Sequence, residues 1–183
     1  KTIEIYREFP GKFEIIAATA YSRGKELFQI AQKNSIPHTF LTSQDFEKLL
    51  FFLKTAEYDR VVFAGLGIHL FQVAQVILRR GKSIALATKE IIVAHGEELF
   101  QQAQKYNGEI LPIDSEISAV WQCLQGEKKE DIRRIFLTAS GGPFLNSQQF
   151  PLSVFPNLTP EKFVKHPRWK MGKKISVDSA TLV

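Results

Sequence analysis

Apolar runs alternate with amphipathic stretches along the first two-thirds of the chain. Short apolar runs predict strands, and the stretches that follow them carry apolar residues at helical spacing. This repeated strand–helix pattern predicts an α/β fold with a mostly parallel sheet and helices on both faces. The predicted strands are residues 13–20, 38–41, 60–64, 83–87 and 110–113, and the predicted helices are residues 24–34, 68–80, 90–106 and a helix that contains residues 46–53, with Ser43 as its cap.

The pattern changes after Asp114. Residues 115–124 are predicted to form a helix, residues 126–131 a charged loop and residues 133–139 a strand. Thr159 and Pro160 mark the start of another helix, since proline is favoured at the first helical position. Residues 173–183 are predicted to form a final strand.

Composition narrows the range of partners. The 183 residues carry 24 Lys and Arg against 19 Asp and Glu, a net charge of +5 that suits a phosphorylated ligand at least as well as nucleic acid. No apolar run reaches the length of a membrane span, so no membrane partner is expected. The chain starts at Lys1 and its single methionine is Met171. We therefore expect a piece of a longer protein.

Asp114, Ser115 and Glu116 follow a predicted strand and form the first candidate site. If these residues stay extended, both carboxylates lie on one side of the chain, where two hard oxygen ligands suit Mg²⁺ or Mn²⁺. Alternatively, they are two solvated acids at a strand-to-helix junction, with Asp114 or Ser115 as the helix cap. Spacing alone does not decide between these alternatives.

Two further segments could bind an anion. Residues 138–144 (TASGGPF) end a strand in a Ser-Gly-Gly turn, which either presents backbone N–H groups to a phosphate or needs glycine for its own geometry. Residues 166–174 combine a histidine, an indole and four cations. They suit a lid over an anionic substrate or, alternatively, a solvated basic loop with Trp169 packed on the core. Nucleic-acid binding has only this one patch in its favour.

Dinucleotide-binding signals are weak when taken one at a time. No G-x-G-x-x-G occurs, and the turn Gly65-Leu66-Gly67 is too short to replace it. Arg23 lies just after a predicted strand, where a cation for a 2′-phosphate would lie in a dinucleotide fold, although a solvated arginine is the more common explanation.

Four segments taken in order closely resemble the 1-deoxy-D-xylulose 5-phosphate reductoisomerase family. They are residues 85–90 (ALATKE), 111–116 (LPIDSE), 138–144 (TASGGPF) and 166–181 (HPRWKMGKKISVDSAT). The resemblance implies NADPH-dependent conversion of 1-deoxy-D-xylulose 5-phosphate to 2-C-methyl-D-erythritol 4-phosphate, in non-mevalonate isoprenoid biosynthesis. It also implies a homodimer, Mg²⁺ or Mn²⁺ as the metal, and a cytoplasmic location, or the plastid stroma in a plastid-bearing source.

The same resemblance implies two domains and a set of site residues. Residues 1–113 correspond to a Rossmann-like NADPH-binding domain without its first strand and Gly-rich turn, and residues 114–183 to the start of an α+β catalytic domain. The implied roles are metal ligation by Asp114 and Glu116; substrate contact by Lys89, Ser115 and Glu116; phosphate binding by Ser140, His166 and Ser179; proximity to NADPH for Arg23, Thr88, Glu90 and Gly172; and a lid that contains Trp169 and Met171.

Three places depart from the family pattern, and at one of them Tyr21-Ser22-Arg23 replaces a common Gly-Lys-Asn near the adenosine phosphate. Thr88 replaces a usual asparagine near the cofactor, and Ile117 replaces a usual histidine beside the metal. These departures leave open a non-catalytic relative that binds phosphorylated ligands. Because a third metal ligand and the phosphate turn of the family lie outside these residues, we expect the 183-residue chain alone to be inactive.

Overall fold

The computed structural model describes residues 2–65, 70–136 and 159–164. The chain divides into two units, residues 1–118 and 119–183. The domain boundary expected after residue 113 stays a prediction. Among the described helices, none combines the length and the apolar character that a membrane span requires.

Helices and strands alternate through the first unit. Its elements are α1 (Thr2–Glu8), β1 (Ala17–Ala20), α2 (Gly24–Lys33), β2 (His38–Leu41), α3 (Phe46–Thr55), β3 (Arg60–Phe63), α4 (Leu70–Arg79), β4 (Ser83–Leu86), α5 (Lys89–Tyr106), β5 (Glu109–Pro112) and the start of α6 (Ser115–Cys123). β1 pairs with β2, and β3, β4 and β5 form a second sheet in that order. All of these pairings are parallel, which confirms the predicted α/β fold.

The core lies between the three-stranded sheet and the helices α4 and α5. On α4 the buried residues fall on one face of the helix, as an amphipathic helix requires. α5 contributes Ile91 and Leu99, and β4 contributes Ile84. The largest fully buried side chains are those of Ile77, Leu78, Ile84, Ile91 and Leu99. This packing fixes the carboxyl ends of β4 and β5 relative to each other.

Gly81 joins α4 to β4 in the left-handed region, with φ of 66°. Its N–H donates to the carbonyl of Leu78 over 2.9 Å, which confirms the glycine cap expected after this helix. A Cβ at Gly81 would lie 2.9 Å from the carbonyl oxygen of Tyr106, at the end of α5. Glycine is therefore required here both by the backbone angle and by the close approach of a second backbone.

Gly81→Ala is expected to lower the free energy of unfolding by about 2–3 kcal/mol, because the left-handed conformation and the contact with Tyr106 add together. Gly11 is the matched control, since its φ is 77° and a Cβ there would meet nothing within 4 Å. Gly11→Ala should cost only about 1 kcal/mol. Urea denaturation of both variants measures the difference. Equal losses in the free energy of unfolding would mean that the contact with the Tyr106 carbonyl contributes nothing.

The first strand is shorter than predicted. β1 starts at Ala17 and not at Phe13, because its partner β2 starts at His38, which lies opposite Ala17. Residues 13–16 precede that pairing, and the ring of Phe13 packs on Tyr6 of α1 at 5.6 Å.

Ser43 is not the cap of α3, which starts after Asp45. The Asp45 carboxylate accepts hydrogen bonds from the Leu41 N–H at 3.2 Å and from Lys48 Nζ at 2.9 Å. These contacts hold the pKa of Asp45 below its ordinary value, the bond from Lys48 being the larger cause. The predicted cap was therefore two residues too early.

α5 contains a break that its sequence pattern did not predict. His95 has φ of −142° inside the helix, and its ring stacks on Phe71 of α4 at 3.9 Å. The backbone therefore departs from helical geometry where α5 packs against α4.

In the second unit the described elements are few. The charged loop contains a short 3₁₀ helix, Lys129–Asp131, and α7 (Pro160–Phe163) starts where Thr159 and Pro160 predicted. Residues 133–136 form no strand, so that part of the predicted strand 133–139 is wrong. The remainder of that strand, and the one predicted at 173–183, lie outside the described residues.

Candidate active site at the ends of β4 and β5

The carboxyl ends of β4 and β5 bring together residues that are distant in sequence. Leu86 lies opposite Pro112 in the parallel pairing, and the N–H of Ile113 donates to the Leu86 carbonyl over 3.1 Å. Lys89 begins α5 just after β4, and Asp114 lies between β5 and α6. Ligands bind at this edge of parallel α/β sheets, which makes it the candidate site.

The ammonium of Lys89 lies against two carboxylates. Its Nζ is 3.0 Å from Oε2 of Glu116 and 3.8 Å from Oδ2 of Asp114. The Asp114 side chain is only 10% exposed, whereas those of Lys89 and Glu116 are 30% and 35% exposed. One cation thus faces two anions in a partly desolvated place, where charge interactions are stronger than in bulk water.

The two carboxylates are held by further hydrogen bonds. Ser115 Oγ donates to Glu116 Oε2 over 2.9 Å, and the N–H of Ile117 donates to Asp114 Oδ2 over 3.1 Å. The hydrogen bond from Lys89, and after it the one from Ser115, lower the pKa of Glu116 below its ordinary value. Glu116 is therefore ionised at neutral pH and available as an anionic ligand.

The sequence argument for this pair rested partly on a wrong premise. Residues 114–116 do not stay extended, because α6 already starts at Ser115. Asp114 caps that helix through its bond to the Ile117 N–H, as the alternative interpretation expected. The carboxylates nevertheless converge, since the cap position and the first turn of α6 both lie within reach of Lys89.

Thr88 connects two strand ends. Its side chain is buried, and its Oγ1 donates to the carbonyl of Gly65 over 2.5 Å. Gly65 follows β3, so the bond joins the turn after β3 to the start of α5. Sequence reasoning missed this role of Gly65, and the available signal was a glycine that follows the strand predicted at 60–64.

Arg23 and Glu90 were the other described candidates near a cofactor. Arg23 follows β1, its side chain is 80% exposed, and its Nη1 lies 3.3 Å from Glu26 Oε2. Arg23 is therefore a solvated surface side chain, which is the alternative that the sequence analysis left open. Glu90 lies half-buried in the first turn of α5, directly beside Lys89.

The remaining predicted site residues lie outside the described residues, as do Leu66 and Gly67 of the predicted turn. Those site residues are Ser140, His166, Trp169, Met171, Gly172 and Ser179.

The donor set at this edge fits a hard divalent cation. The part of the chain that the structure describes contains no group of three or more His, Cys, Asp or Glu side chains that could hold a metal ion. Asp114 and Glu116 supply two carboxylates, the donor type that Mg²⁺ and Mn²⁺ prefer. The ammonium of Lys89 already occupies a position against both, so the pair accommodates positive charge.

Comparison with known proteins gives one consistent result. A family model described as the 1-deoxy-D-xylulose 5-phosphate reductoisomerase C-terminal domain matches residues 110–183. The reductoisomerase of Clostridium botulinum is 37% identical over all of this chain and 46% of its own length. That of Chlamydia abortus is also 37% identical, over all of this chain and 52% of its own length. The chain thus spans about half the length of the curated relatives it matches.

Solved structures agree with the sequence relatives. A crystal structure described as DOX-P reductoisomerase in complex with NADPH, fosmidomycin and magnesium matches with a TM-score of 0.82 and 29% identity, over 99% of this chain and 51% of that one. The reductoisomerase of Zymomonas mobilis in complex with NADPH matches with a TM-score of 0.79 and 27% identity, over 99% and 50%. The whole chain is therefore similar in sequence and in fold to the 1-deoxy-D-xylulose 5-phosphate reductoisomerase family, and residues 110–183 match the model of the family's C-terminal domain.

Proposed function

We propose that the protein carrying this chain converts 1-deoxy-D-xylulose 5-phosphate to 2-C-methyl-D-erythritol 4-phosphate, using NADPH and Mg²⁺ or Mn²⁺. The observation that supports it most is the convergence of Lys89, Asp114 and Glu116 at the carboxyl ends of adjacent parallel strands. That arrangement offers two anionic oxygens for a cation and one cation for an anionic substrate. Relatives named for this activity match the chain over its whole length.

The carboxylates of Asp114 and Glu116 are the groups that would hold the metal. A bound divalent ion supplies Lewis-acid chemistry at substrate oxygens, and bound NADPH supplies hydride. Asp114 is fixed by its role as the cap of α6, and Glu116 by the hydroxyl of Ser115. Both anions are therefore oriented before any ligand arrives, which limits the reorganisation that binding requires.

Lys89 and Ser115 act on the substrate in this proposal. The Lys89 ammonium is positioned to neutralise negative charge on a substrate oxygen, and the Ser115 hydroxyl to donate a hydrogen bond. The roles given to residues outside the described part rest on sequence resemblance alone. They are phosphate binding by Ser140, His166 and Ser179, proximity to NADPH for Gly172, and a lid with Trp169 and Met171.

The wider organisation belongs to the same proposal. Residues 1–113 form the NADPH-binding part, with Thr88, Glu90 and Arg23 nearest the cofactor, and residues 114–183 begin the catalytic part. The full protein acts as a homodimer in the cytoplasm, or in the plastid stroma of a plastid-bearing source. No nucleic acid or membrane takes part.

The full protein, given the substrate, Mn²⁺ and NADPH, is expected to consume NADPH. The decline of NADPH absorbance, with formation of the methylerythritol phosphate checked by mass spectrometry, measures the reaction. Omitting substrate is the control for unproductive oxidation. No consumption while NADPH still binds would favour the alternative, a non-catalytic relative that binds phosphorylated ligands.

A further inference from the structure

We propose that Lys89 is the resident counter-ion of the Asp114–Glu116 pair, which a divalent metal must displace on entry. Lys89 therefore weakens metal binding in the ligand-free protein. This inference rests on the proposed function for the identity of the metal ligands, and it adds a role for Lys89 before any substrate is bound.

The first step of the argument is that the ammonium and the metal need the same oxygens. Lys89 Nζ contacts Glu116 Oε2 at 3.0 Å and faces Asp114 Oδ2 at 3.8 Å. A divalent ion held by these carboxylates would contact their oxygens directly, at about 2.0–2.1 Å in the case of Mg²⁺. An ammonium left in place would then face a double positive charge at short range, which is strongly repulsive in a partly buried place.

The second step concerns what holds Lys89 in place. Lys89 is the first residue of α5, and the N-terminus of a helix carries partial positive charge. A lysine is disfavoured at that position unless anions compensate it. The ion pairs with Glu116 and Asp114 supply that compensation. Once a metal takes the carboxylates, both the metal and the helix repel the ammonium.

The third step is that the Lys89 ammonium can move into solvent. The Lys89 side chain is 30% exposed and ends a flexible four-carbon stem, so it can turn toward solvent without rearranging the core. Displaced in this way, its charge becomes available to an anionic substrate. Metal binding therefore releases Lys89 for the role that it has in the reaction.

Titration of the full protein with Mn²⁺, without substrate or NADPH, tests the inference through the electron paramagnetic resonance signal of free Mn²⁺. Lys89→Met removes the charge and should tighten Mn²⁺ binding about tenfold, equivalent to one competing ion pair of about 1.4 kcal/mol. Lys89→Arg keeps the charge and should change the dissociation constant by less than about twofold. Lys89→Gln repeats the test if Lys89→Met does not fold, as judged by circular dichroism.

Lys82→Met is the matched control. Lys82 precedes β4, at the opposite end of that strand from Lys89, and its Nζ pairs with Glu57 Oε2 at 3.7 Å. Removing its charge should leave Mn²⁺ affinity unchanged. Tightening by Lys82→Met equal to that by Lys89→Met would overturn the inference, because the effect would then come from net charge.

The remaining outcomes separate the inference from the proposed function. Equal or weaker Mn²⁺ binding by Lys89→Met, with the wild type binding Mn²⁺, overturns the counter-ion role and leaves the function standing. Failure of the wild type and every variant to bind Mn²⁺ overturns both. Tighter Mn²⁺ binding by Lys89→Met, or by Lys89→Gln where it replaces Lys89→Met, supports the proposal when Lys89→Arg and Lys82→Met keep the affinity of the wild type.

Discussion

Replacing Asp114 and Glu116 together by Asn and Gln is expected to lower kcat/KM of the full protein by at least about a thousandfold. In the proposed function these two carboxylates hold the metal and so support several kcal/mol of charge stabilisation, and about 4 kcal/mol corresponds to three powers of ten in rate. Mn²⁺ affinity should fall with turnover. NADPH consumption and Mn²⁺ titration measure the two effects separately.

This double substitution is chosen so that the fold survives it. Asparagine caps helices as well as aspartate does, so α6 keeps its bond to the Ile117 N–H. Glu97→Gln with Glu98→Gln is the matched control, since it removes two adjacent charges from an exposed part of α5. That control should change kcat/KM by less than about twofold, as expected for surface positions. Unaltered turnover and Mn²⁺ affinity in the Asp114–Glu116 variant would refute the metal assignment.

Leu99→Ala is expected to lower the free energy of unfolding by about 3 kcal/mol, the largest stability effect we expect from a single core truncation here. Leu99 is fully buried on α5 and belongs to the core cluster that includes Ile77 and Ile84. Truncation removes buried apolar surface and leaves a cavity that the surrounding helices and strands only partly fill. Urea denaturation followed by circular dichroism measures the loss.

Phe100→Ala provides the comparison, because Phe100 is the next residue on the same helix and is 54% exposed. It removes more atoms than Leu99→Ala but leaves most of the core untouched, so a change of about 0.5 kcal/mol is expected. A loss as large as that of Leu99→Ala would mean that burial does not determine the difference.

The sequence did not predict α1, but it predicted the succession of elements from β1 to α6 well, for a physical reason. Strands buried in a parallel sheet appear as short apolar runs between turn residues, and Ser83–Leu86 forms β4 within the run predicted at 83–87. The pattern did not predict at which residues each strand starts and stops pairing with its neighbour. Phe13 is apolar like the strand residues that follow it, yet β1 starts at Ala17, where its partner begins.

The candidate site was predicted in its members but not in its contacts. Sequence order indicated that Lys89 and Asp114 both follow strands, which brings them to one edge of the sheet. It did not indicate that the Lys89 ammonium pairs with Glu116, because that contact depends on α6 starting as early as Ser115. The hydrogen bond from Thr88 to Gly65 could not be predicted either, because no sequence pattern indicates a contact between these two residues.

The all-parallel pairing of the described strands has a consequence for synthesis. Parallel neighbours cannot be joined by a tight hairpin, so β5 joins β4 only after the whole of α5 has been made. Lys89 leaves the ribosome before Asp114 and Glu116, and it stays without them until that crossover closes. In a nascent chain that stops short of β5, this ammonium therefore lacks both carboxylate partners, and the charge balance of the site is completed only after all the described strands have been made.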